Sequence, residues 1–361
     1  MKKVFCLCVL LALVLPTVYA KEKLYDALEV SEVISAAPRE ADIEFRENIS
    51  FENGLGSVFE KVFSGIRVFL TQGIRCVGVI CAVSFLVGFA ESFMPSGDNG
   101  ALKVVIALVG ALSVTVTASG SITSVIGMGK EFISGVDAFS KALIPSVAAA
   151  EAASGFAGSA TVKAGIALVF SDVLISFINS VLLPLVYINI FAGAANAASK
   201  NSVLQKISEF SVKFVSWSLR VLLGAFVSYI GISGIVTTGA DKAALSTAQL
   251  AIGAAVPVVG SIVSEAAETV MSGATMMKNA IGVFGMLSIL SAFATPFAAM
   301  LVNFFAFKAA SLVSSPVLSG GISELSSKIA ESFGLVIAMC ASVATVIIIA
   351  VIAAMKSVGV V

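Results

Sequence analysis

Long apolar runs separated by short polar gaps dominate this chain from residue 74 onward. A hydrocarbon core about 30 Å thick needs about 20 apolar residues in a helix. Residues 74–93 and 104–126 meet that requirement, with the turn MPSGDNG between them. Residues 164–199, 214–238, 281–307 and 333–355 complete a set of six predicted spans. The third run holds Asp172 as its only charge. One straight helix over that run would be about 54 Å long, well beyond the core. Pro184 and the small-residue run AGAANAAS therefore predict a kink, with the end of the segment turned along the interface.

Ahead of the spans the pattern is different. Residues 21–60 hold ten acids against four bases, and Pro38 divides them. Such a segment reads as partly disordered or as a short contact arm. Phe51, Leu55, Val58, Phe59, Val62, Phe63, Ile66 and Leu70 then recur at helical spacing, with Lys61 and Arg67 elsewhere on the wheel. That predicts an amphipathic helix over 51–73, lying on the outer membrane boundary. At the very start, Lys2 and Lys3 precede VFCLCVLLALVLP and small residues at Val18 and Ala20. This is the layout of a signal peptide cleaved after Ala20. The expected organisation is a signal peptide (1–20), a polar acidic extracytoplasmic segment (21–50), the interfacial helix (51–73) and a multi-pass membrane domain (74–361).

Composition fixes the class. Of 361 residues 58% are hydrophobic and 12% charged, and the mean hydropathy is +1.05, far from globular averages. The fold class is all-α, a polytopic membrane protein whose first partner is the lipid bilayer. Net charge is zero and no G-x-x-x-x-G-K-[ST] loop occurs, so neither nucleic-acid binding nor nucleotide hydrolysis is indicated. The chain has no histidine, which removes Ser-His catalysis, H-E-x-x-H zinc sites and histidine haem ligation. A Ser-Lys pair is the one arrangement left, and no lysine is expected inside a span where burial would activate it. We expect no catalytic residues, metal or cofactor. Cys76, Cys81 and Cys340 sit in or beside apolar runs and read as small hydrophobes. Loop lysines divide six against six between the two sides, and Arg220 tips the balance towards an outside N-terminus.

Two groups of residues carry the functional expectation. Asp172, Ser176 and Asn179 share a helix face at i, i+4, i+7, and an intramembrane acid faces a cavity or a partner. Arg220 is expected at a different depth, snorkelling rather than pairing with Asp172. The second group lies in AQLAIGAAVPVVGSIVSEAAETV. There Gly253, Pro257 and Gly260 interrupt an apolar stretch, and Glu265 and Glu268 follow on one face. Two half-length helices meeting at this break would form a re-entrant hairpin, whose irregular backbone is buried in protein or lines a wet cavity. Abundant Gly, Ala and Ser at four-residue spacing (Gly193 and Ala197, Gly260 and Ser264) suit close packing of many helices, from one chain or several.

The motif P-V-V-G-x-x-x-[ST]-[ED]-A-x-E-T-V, with LLPLVYINIFAGAANAAS and KISEFSVKFVSWSLR before it, resembles the stage III sporulation protein AE family, over residues 163–355. The resemblance implies a multi-pass protein of the mother-cell membrane facing the forespore. It further implies membership of a channel or secretion-like complex needed for endospore development, with other membrane subunits as partners and homo-oligomerisation left open. No catalytic residue comes with the family. The alternative is a self-sufficient secondary transporter, against which stands the lack of a convincing internal repeat.

Overall fold

The computed structural model describes residues 28–39, 41, 43–46, 50–93, 100–199, 201–255, 260–315 and 321–356. Among them all regular structure is helical: α1 (Val30–Ala36), α2 (Phe51–Ser92), α3 (Gly100–Ala153), α4 (Ala157–Phe177), a π-turn (Ile178–Leu182), α5 (Leu183–Ser199), α6 (Ser202–Ala255), α7 (Gly260–Ser314) and α8 (Gly321–Lys356). Six stretches are long and apolar enough to cross a membrane. The chain is therefore an all-α, multi-pass membrane protein, as the hydropathy pattern predicts. The proposed signal peptide lies outside the described residues.

The helices run much further than the apolar segments within them. α2 has 42 residues and carries 51–73 and 74–93 without a break, about 63 Å of helix. α6 and α7 have 54 and 55 residues. The stretch 127–163 is helical to Ala153, where the chain turns through Gly155 at φ 95. There the Phe156 N–H reaches the Glu151 carbonyl and the Gly155 N–H reaches that of Ala152. These two bonds make a Schellman cap, which glycine permits because it has no Cβ to clash in the left-handed region. The third span consequently starts at Ala157 rather than 164. At Pro184, where a kink is expected, the helical stretch runs on to Ser199 with a π-turn just upstream, in which the Leu183 N–H bonds the Ile178 carbonyl. Proline lacks the N–H and crowds the carbonyl four residues back, and a widened turn accommodates both.

α7 and α8 form the centre of the bundle. In their most apolar stretches 67% and 61% of residues are buried within the chain, against 22–33% for the other four. Phe307 and Phe333 meet edge to face at 5.4 Å between them. α2 lies along α7 in parallel, and its contact face is built from glycine. A methyl group at Gly65 would stand 2.8 Å from the Ala298 Cβ, and one at Gly73 2.8 Å from Val302. Lipid gives apolar side chains no reason to turn inward, so close approach of small residues drives helix contact. Of the apolar stripe predicted to bind α2 to a surface, Val58 is buried, whereas Phe59 and Phe63 point out.

The polar N-terminal segment is ordered where described. Leu28, Val30 and Val33 are buried, and Ser146 of α3 donates to the Leu28 carbonyl. Beyond α1 a non-helical strap crosses the bundle. The Ala41 carbonyl accepts from Lys61 Nζ at 3.0 Å and from Ser291, and Phe45 packs edge-on against Phe284.

Candidate functional site

Asp172, Ser176 and Asn179 all point out of the bundle, with Asn179 inside the π-turn. Asp172 is not isolated. Its carboxylate lies 3.3 Å from Lys141 Nζ, which in turn pairs with Asp137 at 2.9 Å, one turn back on α3. Asp172 and Arg220 lie at somewhat different heights. Phe170 and Phe226 are in ring contact at 4.8 Å, which aligns α4 with α6. By helical rise Asp172 and Arg220 then differ by about 6 Å in height. Among the described residues no ion pair joins the two, and Arg220 Nε bonds the Ser216 carbonyl of its own helix.

The broken motif falls at the junction of α6 and α7. Gly253 lies in the last turn of α6 and Gly260 is the first residue of α7. Glu265 and Glu268 lie on the first turns of α7. Pro257 and the side chains of the two glutamates lie outside the described residues. The two arms are not separate half-length helices. They are continuous with the fourth and fifth spans, because no proline lies between 239 and 252 or between 260 and 280 and an isolated glycine such as Gly273 is tolerated inside a helix.

A third group was not expected from the sequence. Glu151 at the end of α3 and Lys163 in α4 form an ion pair at 2.9 Å, with side chains 1% and 5% exposed. Ser159 Oγ donates to the same carboxylate oxygen at 3.2 Å. Lys163 also reaches the Ala353 carbonyl at 3.3 Å, and the fully buried Lys278 reaches that of Met355 at 3.1 Å. Both lysines thus cap the C-terminal carbonyls of α8, the negative end of that helix. The expectation that no lysine would be buried is overturned. Lys163 is nevertheless an ion-paired donor, not a free amine beside a serine nucleophile. The signal that could have revealed it is the ASGF turn, which folds the Glu151 end of α3 against the Lys163 turn of α4.

At the other end of the bundle, buried Asn189 donates to Ser332 Oγ at 2.8 Å and accepts from Ser208 at 2.5 Å. Asn196 donates to Glu324 at 3.1 Å, and Lys308 to Ser327 at 3.1 Å. These bonds tie α5, α6 and α7 to the start of α8 where apolar packing alone would leave them free to slide.

Comparison with known proteins agrees with the motif. No solved structure shows a significant match. The stage III sporulation protein AE of Bacillus subtilis (strain 168) is 26% identical over 196 residues, covering 54% of this chain and 49% of that protein. The chain thus matches about half the length of that curated relative. The family model for stage III sporulation protein AE matches residues 41–359, well beyond the stretch that carries the recognisable motif. The chain belongs to the stage III sporulation protein AE family.

Proposed function

We propose that this protein is a non-enzymatic integral membrane subunit of the channel or secretion-like complex between mother cell and forespore, placed in the mother-cell membrane. The observation that carries this reading is the family match over 41–359, on a chain with six helices able to span a bilayer. The packing suits a subunit better than a self-sufficient transporter. The centre between α7 and α8 is filled by side chains such as Phe307, Phe333 and Met339, all fully buried. A substrate path through one copy would need a polar cavity there.

Within this reading the Glu265–Glu268 turns of α7 are offered to other subunits, and the outward Asp172 stripe to an aqueous part of the assembly. Acids beside a hydrophobic boundary gain most from a protein partner. The test is recovery of the tagged chain from sporulating cells in mild detergent. Co-purification with other membrane proteins, together with arrest of spore development when the gene is deleted, is expected. Solute uptake by the purified chain alone in proteoliposomes, with no co-purifying subunit, would refute the proposal in favour of a transporter.

A further inference from the structure

Side-chain contacts fix the relative heights of the helices, and those heights conflict with a uniform lipid belt. Gly65 of α2 stands against Ala298 and Gly73 against Val302. The apolar run 74–93 thus begins at the height where the apolar run of α7, residues 281–307, is ending. The lower part of α2 is level with the middle of the fifth span. α3 is offset in the same sense. Leu143 meets Gly285 and Phe132 meets Phe293, so residues 129–143 occupy that height, not the apolar run 104–126.

What α3 presents outward at this height is charged, and α2 and α4 add charges beside exposed apolar side chains, Phe59 and Phe63 on α2 and Val173 on α4. Glu60, Arg67, Lys130, Glu131, Lys141 and Asp172 are all exposed. The strap crosses the same layer, because Ala41 bonds Ser291 and Phe45 packs on Phe284. Its backbone at 37–39 and 43–46 is non-helical, and the Glu44–Arg46 pair at 2.7 Å is open to the surroundings. Non-helical backbone does not face lipid, and each charge at mid-bilayer is strongly disfavoured. The opposite side is mainly apolar, and Arg220, two turns from Val227 on α6, has a side chain long enough to snorkel. Val173 of α4 and Val227 of α6 are about half exposed.

We propose that the side formed by the strap, α2, α3 and the adjoining edge of α4 faces water at the height of the middle of the fifth span, as an aqueous vestibule reaching into the membrane layer. Water suits this face better than a covering protein, since interface cores are depleted in Lys, Glu and Asp. A cavity of about 210 Å3 opens between strap and bundle, lined by Pro38, Glu131, Phe132, Ala292, Thr295 and Pro296. Pro296 removes the intrahelical donor for the Ala292 carbonyl, and both residues line the cavity. Several waters fit there, with the carbonyl, Thr295 and Glu131 as partners. This inference needs only the membrane assignment, not the assembly proposed above.

The test is thiol accessibility in the full-length chain, with Cys6, Cys8, Cys76, Cys81 and Cys340 replaced by serine or alanine. Single cysteines are placed at Ser64 and Glu131 on the vestibule side, and at Val173 and Val227 on the opposite side. A charged, impermeant thiol reagent is applied to right-side-out and to inverted membrane vesicles. Ser64→Cys and Glu131→Cys are expected to react on the order of 100-fold faster than the valine-site cysteines, because the reacting thiolate forms in water. Should Glu131→Cys not accumulate in the membrane, Arg67→Cys takes its place. Nitroxides at the same sites should collide preferentially with a water-soluble paramagnetic complex. Slow reaction at the vestibule sites from both sides, whether lipid or another chain covers them, overturns the proposal. Equally fast reaction at all four sites overturns it too, since that layer would then lie outside the membrane.

Discussion

Removing the carboxylate of Glu151 should do more damage than removing either lysine beside it. The cluster holds one carboxylate and two ammonium groups, with Glu151 and Lys278 fully buried and Lys163 only 4% exposed. Among the described residues Glu151→Leu leaves two buried cations with no anion paired to them, and breaking such a pair from one side costs about 3–5 kcal/mol. Lys163→Met leaves the carboxylate within the field of Lys278. Its main loss is the charged hydrogen bond, about 1.5–3 kcal/mol. In the double variant Glu151→Leu/Lys163→Met the charge imbalance returns to one cation already bonded to a helix terminus. Its stability should therefore be higher than that of Glu151→Leu alone, as when a buried pair is replaced by apolar residues.

The reporter for this cycle is inside the molecule. Cys340 is fully buried in α8, so with the other cysteines replaced it reacts with a fluorogenic maleimide only when the bundle opens. At roughly 2 °C per kcal/mol for a chain of this size, Glu151→Leu should lower the midpoint of Cys340 exposure in detergent by about 6–10 °C. The double variant should regain at least half of that. If the two single losses simply add in the double variant, Glu151 and Lys163 are not energetically coupled and the cluster does not hold the end of α8.

The remaining predictions concern the outer faces and the glycine seam. Asp172→Leu removes an exposed ion pair worth at most about 1 kcal/mol, and Lys141 keeps Asp137. The Cys340 midpoint should stay put while spore development is impaired, and normal sporulation would mark the acid as a tolerated polar residue. Replacing Glu265 and Glu268 with Gln keeps size and hydrogen bonding without charge. We expect lost co-purification, or lost function with assembly intact, and no change in either would remove this face from the functional reading. For a re-entrant α6–α7 junction, cysteines at Lys242 and Ser272 should label from the same side of the membrane, and labelling from opposite sides would rule it out. Gly65→Ala places a methyl 2.8 Å from Ala298 and should lower stability by about 1–3 kcal/mol. Gly78→Ala, with nothing within 4 Å, should be neutral or stabilising; equal effects would mean that α2 does not pack through its glycines.

Hydropathy reveals the six spans and the break near Pro257 because both depend on local composition: long apolar runs, and residues that cannot continue a helix. It does not reveal where a helix ends when polar sequence stays helical. Residues 127–153 hold Lys130, Glu131, Asp137 and Lys141 and still extend α3, since Lys and Glu are good helix formers and Asp137 pairs with Lys141 one turn on. Glu151 and Lys163 look like loop charges for the same reason. Their burial is decided by the end of α8, almost two hundred residues away along the chain, which supplies carbonyls to Lys163 and Lys278.

The packing face of α2 follows a different rule, with Phe59, Phe63 and Leu70 left on its outer side. The recurrence of Phe51, Val58, Phe59, Phe63 and Leu70 invites the rule for soluble helices, in which the bulky apolar stripe packs inward. The structure packs Gly54, Val58, Gly65 and Gly73 against α7 and turns Phe59, Phe63 and Leu70 outward. In a bilayer the bulky side chains gain as much from lipid as from protein, so the contact goes to whichever face allows the closest backbone approach. The glycine spacing is visible in the sequence, at 54, 65 and 73, but hydropathy scores glycine as nearly neutral. A moment computed on volume rather than hydrophobicity would point to the correct face. The same inversion explains the height mismatch between α2 and α7. Register between them is set by where Gly65 and Gly73 find Ala298 and Val302, and that contact holds even though it lifts Glu60 and Arg67 to the level of an apolar span.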